Sequence, residues 1–337
     1  MKDCNIFVGL DYHQAAVQVC VVNKEGTVLM NRSCRNDWHA IARVVEPHGR
    51  VTRVAIESCS GAADLAEELV ATVGWSVDLA HPGYVQRMKG SPDKTDYSDA
   101  RMLADLERVG YLPRVWLAPQ EVRELRRLVR YRQQRVNERR DIKLRIGALL
   151  RDLRIRTTVG SRWTIPWLCW LRTTSDLSGH SRWIIDHHLA RLQQTIAEVA
   201  EVEQRLSNAT ENDRMVQRLQ QFNGIGPVTA WTIRAEIGRF DRFRNGKQLA
   251  RFCGLSPRNA SSGTRVADAG LIKAGNRQLR ATLMEAAHRL IRFDRLWGAR
   301  ADKLIRRGKP KSLVVAAMAN RWMRWLFHEM QPHRIAA

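Results

Sequence analysis

Apolar and polar positions alternate at short intervals over the first 80 residues, and turn-forming residues such as Asn23-Lys24-Glu25-Gly26 separate the apolar runs. This pattern predicts strands joined by tight turns. The predicted strands cover residues 5–10, 16–22, 27–31, 51–56 and 76–80. Helical spacing predicts helices over 38–47 and 62–73 and from about Ser98 to Val109, with a loop over 81–95. A meander of strands followed by alternating strands and helices indicates an α/β domain with a mixed sheet.

The pattern changes at Pro119, after which apolar residues recur at helical spacing. We predict two long helices, over 119–156 and 183–220, separated by a break at 157–181 that contains Trp163, Trp167 and Trp170. The second helix carries a heptad seam at Leu189, Leu192, Ile196, Val199 and Leu206. The two helices therefore predict an antiparallel coiled-coil hairpin or a dimer contact, and simple packing within one domain is the alternative.

The remaining segment, about 221–330, is helical with frequent turns and predicts a compact all-α domain. We therefore divide the chain into three domains. The first, 1–112, has the element order of the ribonuclease H fold. The second, 113–220, is a basic coiled-coil or helical linker, and the third, 221–337, is helical.

Positive charge is concentrated in the second part of the chain. The 337 residues include 56 Lys and Arg against 34 Asp and Glu, a net charge of +22, with −3 in residues 1–110 and +25 in residues 111–337. A field of this size favours a polyanionic partner, and nucleic acid is the natural one. No apolar run of membrane-spanning length, secretory signal or CxxC pair is present, so we expect no membrane partner, no zinc site and a cytoplasmic location.

Four carboxylates stand where a metal site would form. Asp11 follows the first predicted strand and Glu57 follows the fourth, so both lie at one rim of the sheet. Asp96 and Asp99 are three residues apart, on one face of the next helix. Crowded carboxylates require cations, and hard oxygen ligands favour Mg²⁺, with Mn²⁺ as the alternative. Taken alone, Asp11 also fits a cap of the turn after its strand, Asp96 a helix cap and Asp99 a partner of the helix dipole. Asp93 is an extra acid near the pair.

Several basic and glycine-rich positions fit contacts with a nucleic-acid backbone. Lys94 and Arg101 flank the acidic pair. The turn at 224–227, with Gly224 and Gly226, either binds phosphate at a helix start or is only a bend. A further helix start carries Lys273, Asn276, Arg277 and Arg280. Residues 111–156 carry a net charge of +9, which indicates either a nucleic-acid rail or a solvated helix face. The tryptophans at 157–181 would stack on bases or pack in a core.

Specific motifs resemble one bacterial protein family. The motifs are GLDYH (9–13), AIESCSG (55–61) and KTDYSDARMLADL (94–106) near the start, then GIGPVTAWTIRAEIG (224–238), FCGLSPRNASSG (252–263) and IKAGNRQLRATLMEAA (272–287). They resemble the DEDD motifs and the C-terminal blocks of the transposases of the insertion-sequence group called one-ten and eleven-eleven. The Piv-like DNA invertases belong to the same family. The matching segments occur in the family's order along most of the chain.

The resemblance implies a RuvC-like domain joined by a coiled coil to a second domain with a catalytic serine. In this scheme the serine attacks double-stranded donor and target DNA and forms a 5′-phosphoserine link, while Asp11, Glu57, Asp96 and Asp99 hold Mg²⁺. The Ser-Gly motif favours Ser262 as the nucleophile, with Ser261 as the alternative and an ordinary polar turn as the simpler interpretation. The resemblance also implies a structured guide RNA and dimers or tetramers.

Two other functions are compatible with these residues. A RuvC-like nuclease that resolves DNA junctions by hydrolysis would use the acids without Ser262. A non-catalytic nucleic-acid-binding protein would use the acids only for structure. The motifs also leave open whether the chain is a transposase or an invertase.

Overall fold

The computed structural model describes residues 5–88, 95–157, 159–259, 268–272 and 275–332. The chain divides into two compact units, Met1–Pro119 and Gln120–Ala337, and each has its own hydrophobic core.

The first unit is built on a mixed sheet, as predicted. Its strands are β1 Asn5–Tyr12, β2 Ala16–Asn23, β3 Val28–Arg35, β4 Arg50–Glu57, β5 Val77–Ala80 and β6 Arg114–Val115. Their order in the sheet is β3-β2-β1-β4-β5-β6. The central strands β1, β4 and β5 are parallel, and the outer pairings are antiparallel. The two-residue strand β6 was not predicted, because it is too short to show a period.

Helices cover both faces of this sheet. They are α1 Trp38–Val45, α2 Ala62–Glu68, α3 Pro82–Met88 and α4 Asp96–Arg108. The helices α1 and α2 pack on the face that presents Ile6, Val8 and Leu10. Ala100 and Ala104 of α4 pack on the opposite face, against β2. The predicted loop over 81–95 is wrong for 82–88, because Pro82 is the first residue of α3, a position that proline favours.

The second unit consists mainly of helices. They are α5 Gln120–Asp152, α6 Ile165–Thr173, α7 Gly179–Ala209, α8 Arg214–Gln220, α9 Pro227–Ile237, α10 Gly246–Phe252, α11 Arg277–Phe293, α12 Arg295–Arg306 and α13 Lys311–Glu329. A short antiparallel ribbon, β7 Pro257–Asn259 and β8 Asp268–Leu271, lies between α10 and α11. The expectation of an all-α third domain is therefore wrong at this ribbon, whose strands are too short and too rich in Gly and Pro to show alternation.

The two long helices α5 and α7 pack along each other in opposite directions. Arg132 of α5 pairs with Glu203 of α7, whereas Glu138, further along α5, pairs with Arg191, earlier in α7. The predicted helix over 183–220 is wrong beyond Ala209. The Asp213 side chain accepts hydrogen bonds from the N–H groups of Met215 and Val216 and starts a new helix, α8.

The predicted seam of α7 is correct except at Ile196. The buried residues are Ile185, Leu189, Leu192, Thr195, Val199, Val202 and Leu206. Ile196 is 46% exposed, and Thr195 takes the buried position. The predicted break at 157–181 contains a helix, α6, whose Trp167 is fully buried between Trp163 and Trp170. Trp167 is therefore a core residue and does not present a face for stacking.

Candidate metal centre and nucleic-acid surfaces

The rim of the sheet brings Asp11 and Glu57 to the same level. Leu10 of β1 pairs with Ile56 of the parallel neighbour β4, so Asp11 and Glu57 are the next residues on adjacent strands. Glu57 ends β4, as predicted, whereas Asp11 is the last residue but one of β1, because that strand continues to Tyr12. The carboxyl ends of parallel strands meet at one edge, which is where sites form in α/β sheets.

Helix α4 carries the other two acids. Thr95 caps the helix by accepting a hydrogen bond from the Ser98 N–H, so α4 begins at Asp96, two residues earlier than predicted. Asp96 is exposed, whereas Asp99 faces the sheet and is only 4% exposed. Their spacing places both carboxylates in the first turn of the helix.

Gly9 allows α4 to approach the rim. A Cβ atom at this position would lie 2.0 Å from the Ala100 carbonyl oxygen and 2.5 Å from the Ala104 nitrogen. The backbone of α4 therefore rests directly on β1, two residues before Asp11. This close approach holds the acidic start of α4 beside the end of β1.

His13 lies between two of the acids and was missed as a site residue. Its Nε2 atom is 3.4 Å from Asp11 Oδ2 and 3.3 Å from Asp96 Oδ2. One potential ligand atom from each of these three residues lies within 4.8 Å of the others. Glu57 and Asp99 are not members of this group. The motif GLDYH contained the histidine, but no sequence pattern distinguished it from an ordinary turn residue.

The electrostatics of this cluster favour a bound cation. Burial raises the pKa of Asp11, the nearby charge of His13 lowers it, and repulsion from Asp96 and Asp99 raises it again. The resulting pKa lies above the usual aspartate value, so the negative charge is costly where it stands. A divalent cation would offset that cost, and the oxygen donors suit Mg²⁺ or Mn²⁺. The imidazole nitrogen is a donor that Mn²⁺ accepts more readily than Mg²⁺.

Some predicted site residues lie outside the described residues. These are the two candidate nucleophiles, Ser261 and Ser262, the residues Asp93 and Lys94 that precede Asp96 in the sequence, and Lys273. Arg101 is described and exposed on α4, where its Nε atom lies 3.9 Å from the Asp105 carboxylate. Such a pair is weak in water, so Arg101 is free to reorient.

The turn at 224–227 has a clear structural role. Gly224 has φ +82°, and a Cβ atom there would lie 2.9 Å from Cγ of Leu290 in α11. Gly226 precedes α9, and its carbonyl oxygen accepts the first helical hydrogen bond, from Ala230. The need for glycine at 224 thus follows from backbone conformation and packing, and the phosphate-binding role of the turn stays a prediction.

The start of α11 combines exposed and internal groups. Arg277 is exposed, and Arg280 donates to the carbonyl of Ile272. Asn276 caps the helix by accepting from the Leu279 N–H and also donates to Glu236 Oε2 at 2.7 Å. Asn276 therefore has two internal partners, and its contact with nucleic acid stays a prediction.

Glu236 of α9 is a buried carboxylate that the sequence did not single out. Arg130 of α5 donates to both of its oxygens, at 2.9 and 3.1 Å, and Arg126 lies 3.7 Å away. Burial lowers the pKa of Arg126. Together with Asn276, these residues join α5, α9 and α11 at one point. In the sequence, Glu236 is a lone acid inside an apolar helical segment. Such an acid is rarely buried without a partner, and this could have identified the cluster.

The described residues contain no helix that is long and apolar enough to cross a membrane.

The sheet order, the rim carboxylates and the basic helical unit fit the class of enzymes that act on nucleic acid. Comparison with known families agrees. A DEDD transposase model of the IS110 type matches residues 8–155, and the model for the transposase IS116/IS110/IS902 family matches residues 216–302. The chain belongs to this family and is a transposase, a DNA phosphoryl-transfer enzyme.

Individual relatives are similar over most of their length. The transposase for insertion sequence element IS1111A of Coxiella burnetii is 25% identical, over 100% of this chain and 93% of its own. A probable family 20 transposase of Pseudomonas aeruginosa is 29% identical over 95% of both chains. A putative transposase, y4qE, of Sinorhizobium fredii is 29% identical over 82% of this chain and 72% of its own.

Proposed function

We propose that this transposase cuts and rejoins double-stranded DNA through a covalent phosphoserine intermediate, with a divalent cation at the rim of its sheet. The observation that carries the proposal is the convergence of Asp11, Asp96 and His13 within 4.8 Å, with Glu57 level with Asp11 on the adjacent strand. Asp11, Glu57, Asp96 and Asp99 would hold Mg²⁺ or Mn²⁺, which would neutralise charge on the scissile phosphate when bound.

The DNA phosphodiester bond that is broken would be replaced by a phosphoserine ester bond. The Ser262 hydroxyl would attack phosphorus and lose its proton, and the departing 3′ oxygen would gain one. The 5′ phosphate would then remain on Ser262, so attack by another 3′ hydroxyl can rejoin the strand without an outside energy source. Free serine is a weak nucleophile, and a nearby carboxylate or cation would have to activate it. The choice of Ser262 as the nucleophile rests on the Ser-Gly motif of the family.

The guide RNA, the coiled coil and the oligomer are part of the same proposal. The antiparallel packing of α5 against α7, with ion pairs between Arg132 and Glu203 and between Arg191 and Glu138, supports a coiled-coil hairpin. The charge of +25 over residues 111–337 exceeds what one short DNA contact needs, which supports a second polyanion such as RNA. We also propose the three-domain division at 112 and 220 and assembly as a dimer or tetramer on DNA.

Single substitutions test the chemistry. With element-end DNA and Mg²⁺ or Mn²⁺, the wild-type chain should form an adduct with DNA that survives denaturation. Ser262→Ala and Asp11→Asn should each abolish the adduct, and Ser261→Ala should retain it. DNA binding should persist in all three variants. Cutting by Ser262→Ala without an adduct would instead establish hydrolysis, and unchanged activity of Asp11→Asn would refute the metal site.

A further inference from the structure

The second unit contains a cavity whose charged lining residues are all basic. It has a volume of about 610 Å³ and lies among the start of α10, helix α12 and helix α13. Lys247, Arg300, Arg321, Arg324 and His328 line it, together with Trp325. No carboxylate is among its lining residues. All of its lining residues belong to the second unit, whereas the acids at the rim of the sheet belong to the first.

Helix α13 is divided into two faces by its sequence. One face is buried in the core of the unit and includes Trp322, Met323, Leu326 and Phe327. The other presents Arg321, Arg324, Trp325 and His328, at positions i, i+3, i+4 and i+7, to solvent. From Arg321 to His328 every exposed side chain is therefore basic or aromatic.

The positive charge in this cavity is not neutralised within the described residues. There, Lys247, Arg300, Arg321, Arg324 and His328 form no ion pair with a carboxylate, although many other arginines of the same unit do. Arg300 instead lies over the ring of Trp297, 4.8 Å from its centroid. Like charges held together without counter-charges repel one another, so the arrangement favours an anionic ligand.

Trp325 indicates what kind of anion fits. Its ring packs edge-on against Phe222, with centroids 5.2 Å apart, and still remains 37% exposed at the cavity. An indole held by a neighbour and surrounded by arginines is the arrangement on which unpaired bases stack, while the cations hold the phosphates. Bases in a duplex are already stacked on each other, so a duplex would gain only the charge contacts.

We propose that this cavity binds an unpaired stretch of nucleic acid, with Lys247, Arg321 and Arg324 on its phosphates and Trp325 against a base. The proposal concerns a different site from the metal centre and does not depend on the serine mechanism. RNA and DNA share the chemistry that it recognises, and the source of the strand is decided by experiment.

The test measures binding of labelled oligonucleotides of about 12 nucleotides to the full chain by fluorescence anisotropy, at several salt concentrations. The probes are single-stranded RNA, single-stranded DNA and duplex DNA. Arg321→Gln with Arg324→Gln should weaken single-strand binding about tenfold and reduce the slope of log affinity against log salt by about 1.4. The matched control, Arg306→Gln with Arg307→Gln, removes two exposed charges of the same unit that do not line the cavity. It should weaken binding less than about threefold.

Replacement of the aromatic ring separates stacking from charge. Trp325→Leu should weaken single-strand binding by about tenfold, and Trp325→Phe should restore most of it, with duplex binding unchanged by either. Thermal unfolding of both variants shows whether the fold is retained. A preference for RNA or for DNA among the single strands identifies the source of the strand. The proposal is overturned if the cavity variants match the control pair, or if the duplex binds as tightly as the single strands and responds equally to Trp325.

Discussion

Gly9 shows how one missing side chain sets the geometry of the metal centre. Replacement by alanine would place a methyl group 2.0 Å from the Ala100 carbonyl oxygen, and neither backbone can move without shifting β1 or α4. We expect Gly9→Ala to lower the free energy of unfolding by about 3 kcal/mol. Gly147→Ala is the control, because its Cβ would meet only arginine side-chain atoms at 3.5 Å within a helix. That change should stabilise α5 by up to about 1 kcal/mol. Chemical denaturation followed by circular dichroism measures both.

His13 tests the composition of the metal site at the same scale. Its Nε2 is within 3.4 Å of both Asp11 and Asp96, so it either coordinates the cation or orients its ligands. In either case we expect His13→Ala to weaken Mn²⁺ binding by about tenfold or more. His39→Ala, at an exposed histidine stacked on Trp38 in the same unit, should leave the affinity unchanged. Calorimetric titration with Mn²⁺ gives both values, and equal affinities for the two variants would exclude His13 from the site.

At the scale of elements, α4 is fixed at both of its ends. Its start carries Asp96 and Asp99, and near its end Glu107 is fully buried, with Arg114 of β6 donating to Oε1 at 2.6 Å. Arg53 of β4 lies 3.8 Å from the same oxygen. This contact holds the helix against the sheet and so contributes to the position of the acids at its start.

The buried charge of Glu107 predicts a pH dependence. Burial raises its pKa above the usual glutamate value, against the opposing effect of Arg114. The folded protein therefore binds this proton more tightly than the unfolded chain does, and stability declines as the pH rises from the unfolded pKa through the folded one. We expect the wild type to lose stability relative to Glu107→Gln over that interval. Urea denaturation of both proteins between acid and neutral pH measures the difference, and parallel curves would contradict the expectation.

Glu236 joins three helices of the second unit in the same way. Its loss would leave Arg126 and Arg130 without their buried counter-charge, and burial already disfavours the charge of Arg126. We expect Glu236→Gln to destabilise the unit by about 3 kcal/mol. Glu203→Gln removes a carboxylate that is 37% exposed and paired with Arg132, and it should cost less than about 1 kcal/mol. Thermal unfolding of the two variants provides the comparison, and equal losses would show that the Glu236 cluster is not special.

The elements that were predictable from sequence are those with a local pattern. Short apolar runs bounded by turns identified β1 to β5, and the ends of β1 and β4 identified Asp11 and Glu57 as neighbours, because parallel strands share an edge. Ile196 was assigned to the seam because a heptad demands an apolar residue there, but Thr195 is the buried residue, and its hydroxyl donates a hydrogen bond to the Arg191 carbonyl one turn earlier. His13 and Glu236 were missed because their partners, Asp96 and Arg130, are distant in sequence and no local rule connects them. The ribbon of β7 and β8 was missed because its strands are too short for any period.

Because the positive charge lies in the second part of the chain, we expect DNA affinity to come mainly from the second unit. Residues 1–110 carry −3 and residues 111–337 carry +25, so the acids that we propose as cation ligands lie in the unit whose net charge does not favour DNA. We expect a fragment of residues 120–337 to bind duplex DNA and a fragment of residues 1–119 to bind none without a cation. Because binding by such a surface releases counterions from DNA, affinity should fall about a thousandfold between about 50 and 200 mM salt. Anisotropy titrations at several salt concentrations measure this slope for the full chain and both fragments. Two results would contradict this expectation. One is strong DNA binding by the 1–119 fragment in the presence of a chelator, and the other is an affinity of the 120–337 fragment that does not change with salt.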